Sequence, residues 1–201
     1  MFKKVPITCP VCQMPSTFKA ATSLDTIDNP EMRDFVLSGK AFTFTCPDCG
    51  ETLNFDHEML YHQAEDKFMI QYVMTDNRVE YFSHFLGDGG IVGNLREIGY
   101  RFRIVRSQQA LLEKIRILSD GLDDRAIELC KAEMDPEGHR EMYYARDEGD
   151  IILDVFENGE KSGQRIVLRE KYEDRARQTA GMKDELFVDG QWAREVAPVE
   201  K

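Results

Sequence analysis

The sequence predicts an α+β fold, because strand-type and helix-type patterns alternate along the chain. Two Cys-Pro-x-Cys motifs, at residues 9–12 and 46–49, are each flanked by the apolar and β-branched residues typical of short strands. Two adjacent segments in the middle have the apolar spacing of amphipathic helices. The last third combines apolar runs of strand length with Asn-Gly and Asp-Gly dipeptides. These patterns predict a cysteine-rich unit of short antiparallel strands, a central helical pair and a small β-rich C-terminal region.

The first sixty residues predict two strand–turn–strand units joined by a helix. Residues 1–8 and 16–22 are strand-type and enclose the first motif. Strand-type residues likewise precede and follow the second motif. In the connection, Asn29 suits the position before a helix, Pro30 its first position and Gly39 its exit.

The middle of the chain begins with two predicted strands, KFMIQYVM (residues 67–74) and YRFRIV (residues 100–105). Between them, the glycine-rich stretch LGDGGIVGN, at residues 86–94, predicts a loop.

Two predicted helices follow, with Ser107 as the cap of the first and Asp123 as the cap of the second. Leu122 before the second cap and Ile127 after it have the spacing of a hydrophobic staple. Cys130 lies further along the second helix, where we expect it in the core. The apolar stripe of the first helix consists of Leu111, Leu112, Ile115 and Leu118.

The polar segment DPEGHRE, residues 135–141, is the strongest interruption of the apolar pattern. A chain of 201 residues can form one compact domain or two small ones. We therefore predict a metal-binding first domain of residues 1–134 and a β-rich region of residues 135–201.

In the C-terminal region, Asn-Gly at residues 158–159 and Asp-Gly at residues 189–190 each predict a hairpin turn between two strands. Trp192 would then be a cross-strand packing residue. The charged segment 169–179 between the hairpins predicts a helix.

The two motifs contain four of the five cysteines: Cys9, Cys12, Cys46 and Cys49. Two residues between paired cysteines let one tight turn aim both sulfurs at one ion, about 2.3 Å away. Proline after the first cysteine restricts φ for that turn, and Gly50 after the second pair lets the backbone continue with positive φ. Two such pairs supply the four soft ligands of a tetrahedral site. The sequence therefore predicts a structural zinc ion in a zinc-ribbon-like unit.

The first motif differs from the second at the residue that follows it. Gln13 stands where the second motif has Gly50, so we expect a more strained or differently shaped turn. The spacer between Cys12 and Cys46 also exceeds the roughly 15–20 residues of a minimal site. The predicted helix accounts for the surplus.

Three functions are compatible with this pattern. Four thiolates close the metal's coordination shell, which favours a non-enzymatic, zinc-stabilised module that binds a protein or a small regulatory ligand. Cys-Pro-x-Cys is also typical of dithiol–disulfide oxidoreductases, although neither pair here opens a helix. The third hypothesis is a nucleic-acid-binding zinc ribbon.

The charge distribution argues against nucleic acid without excluding it. The formal net charge is −11, which repels phosphate backbones unless a local basic patch prevails. The candidate basic residues are Arg96, Arg101, Arg103 and Arg106. On a strand, Arg101 and Arg103 share a face, which predicts either a solvated surface or a contact patch for an acidic partner or nucleic acid.

His57 and His62 are spaced by five, whereas a zinc-protease helix requires a spacing of four in H-E-x-x-H. We therefore interpret them as surface or turn histidines. His57, close after the second motif, is a candidate hydrogen-bond donor to a cysteine sulfur.

The sequence predicts a cytoplasmic protein without a membrane partner. No window approaches the roughly 18 consecutive apolar residues of a membrane span. The first residues lack the apolar stretch of a secretory signal, and an odd number of cysteines is poor evidence for disulfides.

The residues also resemble a known family, the CpXC-domain proteins of bacteria and archaea. The similarity lies in ITCPVC, LSGKAF, FTCPDCGETLNF, LYH and KFMIQYV, and it extends through EKIRILSDGLDDRAIEL. It thus covers about residues 8–129. The resemblance implies a zinc-binding fold but no activity or substrate, and it implies nothing for residues 135–201.

Overall fold

The chain forms two compact units, Met1–Gln108 and Gln109–Lys201, in a computed structural model. The described residues are 1–27, 29–86, 93–147 and 149–196. Among the helices in these ranges, none combines the length and the apolar composition that crossing a membrane requires. The division into domains of residues 1–134 and 135–201 stays a prediction.

The first unit consists of small sheets connected by short helices. The described elements, in chain order, are β1 (Phe2–Thr8), β2 (Pro15–Ala21), β3 (Ser23–Asp25), α1 (Met32–Leu37), a 3₁₀ turn (Lys40–Phe42), β4 (Thr43–Thr45), β5 (Thr52–Asn54), β6 (Met59–Gln63), β7 (Phe68–Tyr72), α2 (Asp76–Leu86), α3 (Gly93–Glu97) and β8 (Arg101–Val105). β1 pairs with β2 and β4 with β5, both antiparallel. The remaining strands form a sheet in the order β3-β6-β7-β8, in which β6 and β7 are antiparallel and the outer pairs are parallel.

The helix predicted between the two motifs is present but shorter than expected. It begins at Met32, not at Pro30, because Asn29 starts a tight turn in which its carbonyl accepts the Met32 N–H at 3.0 Å. Gly39 ends the helix as predicted, with φ of +76°, a conformation that glycine adopts without steric cost.

Two features of the middle of the chain differ from the expectation. Of the predicted glycine-rich loop at 86–94, residues 87–92 lie outside the described residues, and the helix α3 begins directly at Gly93. The strand β6 was not predicted, and its buried positions are Met59, Tyr61 and Gln63. Gln63 is buried, and it accepts a hydrogen bond of 2.6 Å from the Tyr61 hydroxyl.

In the second unit, the two predicted helices, the two strands joined through residues 158–159 and the helix at residues 169–179 occur in the predicted order, and one strand that was not predicted precedes the hairpin. The elements are α4 (Gln108–Ser119, whose first residue belongs to the first unit), α5 (Asp124–Met134), β9 (Glu141–Asp147), β10 (Asp150–Glu157), β11 (Glu160–Val167), α6 (Arg169–Thr179) and α7 (Gly190–Val196). The strands form an antiparallel sheet in the order β11-β10-β9. Helices and small sheets in both units confirm a mixed α+β fold.

The predicted helical pair is confirmed, together with the predicted cap of its second helix. Asp123 accepts the Arg125 N–H at 3.0 Å, so it caps α5 as expected. Ile127 and Cys130 are buried in the core of this unit, and Leu122 packs against the same core. The apolar stripe of α4 is also buried.

The core of the second unit lies between its sheet and the helices α5 and α6, and it consists chiefly of β-branched and aromatic side chains. Its buried members include Ile151, Leu153, Val155, Tyr144 and Tyr172. Asn158 and Gly159 both have positive φ, as a two-residue hairpin turn requires. The predicted β10–β11 hairpin is therefore confirmed.

The hairpin predicted at residues 189–190 is wrong. Asp189 caps a helix instead, because its side chain accepts the Trp192 N–H at 3.0 Å and its carbonyl accepts the Ala193 N–H at 2.9 Å. Trp192 is not a cross-strand residue, since it lies in α7 and packs against the buried cluster of Leu129, Ala132 and Ala193. The C-terminal region thus contains a sheet and two helices in its described part.

Candidate metal centre

Two tight turns bring the four predicted cysteines together. The β1–β2 turn holds Cys9 and Cys12, and the β4–β5 turn holds Cys46 and Cys49. All four Sγ atoms lie within 4.8 Å of one another, with Cys9–Cys49 at 3.8 Å and Cys12–Cys46 at 3.7 Å. Sulfurs at tetrahedral corners 2.3 Å from one ion would be about 3.8 Å apart. The cluster can therefore hold a single metal ion, and its cysteines are free thiols rather than disulfides.

The two turns share one backbone conformation. In the first, the Gln13 N–H donates to the Cys9 carbonyl at 2.9 Å; in the second, the Gly50 N–H donates to the Cys46 carbonyl at 2.9 Å. Gln13 has φ of +62° and Gly50 has φ of +74°. Of the two alternatives expected for the first turn, the more strained one is confirmed and the different shape is not, because Gln13 adopts the left-handed conformation, which is strained for a residue with a Cβ.

Replacing Gln13 with glycine should stabilise the metal-loaded protein by about 0.5–1 kcal/mol. Left-handed backbone costs an L-residue about 1–2 kcal/mol, and the greater entropy of unfolded glycine offsets part of the gain. Chemical denaturation at fixed metal concentration measures the difference.

The matched control is the reverse change, Gly50→Gln. Nothing lies within 4 Å of a Cβ added at Gly50, so its expected destabilisation reports on the backbone conformation alone. A loss of stability in Gln13→Gly would mean that the hydrogen bond from the Gln13 amide to the Pro10 carbonyl, at 2.9 Å, outweighs the strain.

Backbone amides point at the sulfurs and favour their ionisation, while the neighbouring sulfurs make the pKa values unequal. The N–H of Cys12, with a smaller contribution from that of Val11, lowers the pKa of Cys9 to about 7. The Met14 N–H acts likewise on Cys12, but burial and the neighbouring sulfurs outweigh it and raise the pKa of Cys12 to about 12. Close negative charges disfavour one another, so full ionisation of this cluster requires a bound cation.

One side of the cluster faces a small apolar core and the other side faces solvent. Cys9 and Cys46 are buried, Cys12 is half-buried and Cys49 is exposed. The apolar residues around the two buried cysteines are Phe18, Ala20 and Phe44, with Val5, Ile7, Leu53 and Phe55 packed against them. Because this core is small, we expect the two hairpins to depend on additional stabilisation.

His57 does not donate to a cysteine sulfur, contrary to the expectation. Its Nδ1 lies 3.2 Å from the Phe55 carbonyl oxygen and its Nε2 lies 3.1 Å from the Ala21 carbonyl oxygen. The ring packs against those of Phe18 and Phe42, with centroids 5.4 and 5.0 Å away. His57 therefore connects the end of β2 to the segment after β5.

His62 belongs to a polar chain that was not predicted. Its Nδ1 lies 2.6 Å from an Asp25 carboxylate oxygen, and its Nε2 lies 3.2 Å from the Tyr100 hydroxyl. Burial alone would raise the pKa of Asp25, but the Ile27 N–H and His62 lower it overall. Asp25 and His62 are register partners of β3 and β6, so only the sheet pairing could have revealed this contact.

The four predicted basic residues do not form one exposed surface. Arg103 is completely buried in β8. Arg106 pairs with Asp76 at 2.8 Å, and the Arg96 guanidinium lies 5.7 Å from the centre of the Phe102 ring. The predicted contact patch on β8 is therefore wrong, because this strand buries the face on which Arg103 lies.

Comparison with known proteins supports the resemblance found in the sequence. Residues 7–131, more than half of the chain, match the family described as CpXC protein. The matched region contains all four clustered cysteines. The chain matches neither a curated protein nor a solved structure.

Proposed function

This chain belongs to the CpXC protein family, and from that premise we propose that its first unit is a non-enzymatic, zinc-stabilised module that binds a protein or a small regulatory ligand. The observation that carries the proposal is the convergence of four sulfurs from two hairpins. One turn supplies Cys9 and Cys12 and the other supplies Cys46 and Cys49, so a metal ion bound to all four would link the two hairpins.

The donor set favours zinc. Tetrahedral sites of four thiolates are typical of zinc and of iron–sulfur centres, whereas calcium and magnesium prefer oxygen. Zinc has no geometric preference of its own and accepts the shape that the two turns dictate. Amide hydrogen bonds to the sulfurs of Cys9, Cys12 and Cys49 would stabilise the thiolates in such a site.

The closed ligand set favours a structural role. Catalytic zinc keeps one position for water or substrate, usually beside three protein ligands. Here the sulfurs of Cys9, Cys12, Cys46 and Cys49 all lie within 4.8 Å of one another, so together they could supply all four ligands. The metal would then contribute folding free energy, and function would belong to the surface that it holds in place.

One observation favours the second candidate, a dithiol–disulfide oxidoreductase. The pKa of Cys9 is lowered to about 7, and low thiol pKa values are typical of redox cysteines. However, the Cys9 side chain is buried, and each motif continues into a strand instead of opening a helix. The buried Arg103 removes part of the support for a nucleic-acid-binding ribbon.

Metal analysis and thiol titration test the proposal. Protein purified without added metal should contain about one zinc ion per chain, and a chelator should expose four protected thiols. Protein that lacks zinc and presents fast-reacting thiols, with reversible oxidation, would instead be an oxidoreductase. Iron with visible thiolate absorption would contradict the assignment of zinc.

A further inference from the structure

A groove of about 540 Å³ lies beside the candidate metal centre in the first unit. This volume is within the range of ligand pockets. Phe18 and Phe44, which line it, also pack against the buried cysteines. Phe2 and Phe35 line it as well and contact each other edge to face, with centroids 6.2 Å apart. The groove thus has an aromatic lining that depends on the same core as the metal centre.

Lysines give the groove a positive charge in a chain whose formal net charge is −11. Lys4, Lys19 and Lys40 line it, and its described lining includes no acidic side chain. Lys4 and Lys19 are register partners in the β1–β2 hairpin, so two like charges lie directly opposite each other. Such a pair is unfavourable in the free protein, and an anionic occupant would relieve the repulsion.

The strand β2 presents unpaired backbone groups at this groove. Within the described sheets it pairs only with β1. In an antiparallel hairpin, hydrogen-bonded and non-hydrogen-bonded residue pairs alternate. The Cys9 N–H donates to the Met14 carbonyl, which makes Cys9 and Met14 a hydrogen-bonded pair. Along the same register, Lys4 and Lys19 form a non-hydrogen-bonded pair, so the backbone N–H and C=O of Lys19 point away from β1. The Ala21 carbonyl, which has the same orientation as that of Lys19, accepts from His57 outside the hairpin.

The strand β4 presents a second open edge. The backbone N–H of Phe55 donates to the Phe42 carbonyl, and the backbone N–H of Cys46 donates to the Glu51 carbonyl. Because hydrogen-bonded pairs alternate along the strand, Thr45 belongs to a non-hydrogen-bonded pair, and its backbone N–H and C=O point away from β5. Thr45 and Lys19 both line the groove. Alternating donors and acceptors on a strand edge match the backbone of an extended peptide.

We propose that this groove binds an extended segment of a partner protein in which acidic residues alternate with apolar ones, added as a strand along β2. This inference rests on the proposed function, since it names the class of partner that the module takes. β2 is favoured over β4 because it spans seven residues and β4 only three. The phosphates of a polynucleotide would also pair with the lysines, but its backbone lacks the alternating donors and acceptors that would hydrogen-bond to the strand edges. The negative charge of the rest of the chain also repels a long polyanion.

The test is a selection of phage-displayed random dodecapeptides on the zinc-loaded full chain, with counter-selection on Lys19→Glu. We expect enriched sequences rich in acidic and apolar residues. Synthetic copies should lose about tenfold in affinity toward Lys19→Glu by fluorescence anisotropy. N-methylation at alternate peptide bonds should abolish binding, because it removes the donors that strand addition requires.

Lys3→Glu is the matched control, with the same charge change in the same strand pair at a residue that does not line the groove. It should change the affinity by less than about twofold.

Failure to enrich any peptide, equal binding to Lys19→Glu, or tolerance of N-methylation would overturn the proposal. Oligodeoxythymidylate of equal length and unlabelled peptide are compared as competitors of the labelled peptide. Displacement by the oligonucleotide at the lower concentration would overturn the proposal in favour of nucleic acid. Zinc measured on the same preparations separates the outcomes: a full complement of zinc without peptide binding contradicts this inference alone, whereas missing zinc contradicts the proposed function.

Discussion

Replacing Cys46 with serine should remove the metal and unfold the two cysteine-bearing hairpins in one step. Cys46 is buried between the two hairpins, and a serine hydroxyl is a poor substitute for a zinc-bound thiolate. Structural zinc contributes about 10–16 kcal/mol in zinc-finger peptides, whereas a small core supplies about 3–5 kcal/mol. Zinc content should fall far below one per chain, and the amide resonances of β1, β2, β4 and β5 should lose their dispersion.

Cys130→Ala is the matched control for this change. Cys130 is equally buried but lies in the core of the second unit, among residues that include Ile127 and Val155. We expect this variant to keep its full zinc content, with only a modest loss of stability from the smaller side chain. Retention of both zinc and fold in Cys46→Ser would contradict the structural role of the site, as would an equal loss of zinc in the two variants.

The parts of the fold that the sequence predicts correctly are those whose determinants lie within a few residues. The cap at Asp123 needs only the N–H of Arg125, two positions later. The turn at Asn158 and Gly159 needs only residues that tolerate positive φ. The cysteine motifs belong to this class, because each places two sulfurs through one tight turn.

Where the prediction fails, a distant contact decides between two local possibilities. Asp-Gly at residues 189–190 suits a hairpin turn and a helix cap equally well. Packing of α7 against α5, in which Ala193 joins Leu129 and Ala132 in a buried cluster, favours the helix, and no local pattern contains that contact. The groove likewise depends on contacts between residues that are distant in sequence, because only the strand register places Lys4 opposite Lys19. The prediction that Arg103 lies on an accessible face of its strand is wrong, because the burial of β8 depends on its neighbours in the sheet.

A buried network of charges joins α4, α5 and β9 in the second unit. Its ionic members are Glu113, Lys114, Asp124, Glu128 and Lys131, and each is almost fully buried. Lys131 contacts Glu113 at 2.7 Å and Glu128 at 3.1 Å. Lys114 contacts Glu128 at 3.1 Å, and Glu113 also accepts the Tyr144 N–H at 2.6 Å. Removing one charge from such a network leaves another without compensation in a medium that solvates it poorly.

Replacing Lys131 with methionine should therefore destabilise the protein by about 3–5 kcal/mol at pH 7. Chemical denaturation, followed through the circular dichroism of the helices, measures the loss. Lys171→Met is the matched control, because Lys171 is exposed and its contact with Glu133, at 3.4 Å, is a surface pair. Such pairs contribute about 0–1 kcal/mol, so similar losses in the two variants would contradict a special role for the buried network.

The pH dependence of the Lys131→Met effect distinguishes lost charge compensation from lost packing. Burial alone would raise the pKa of Glu128, but Lys114 and Lys131 outweigh burial and lower it. A lowered pKa means that the stabilisation from Glu128 is complete above its unfolded pKa of about 4.3, and is lost as the pH falls through the folded pKa.

For Lys131, burial alone would lower the pKa, but Glu113 and Glu128 raise it. The contribution of Lys131 to stability is therefore complete below about pH 10.4 and is lost at higher pH. Without Lys131, Lys114 alone faces the buried carboxylates of Asp124 and Glu128 and the nearby Glu113, so protonation of Glu128 relieves part of the excess negative charge. The stability difference between wild type and variant should therefore shrink as the pH falls from 7 to 3. A difference that stays constant over this range would assign the whole effect to packing of the lysine stem.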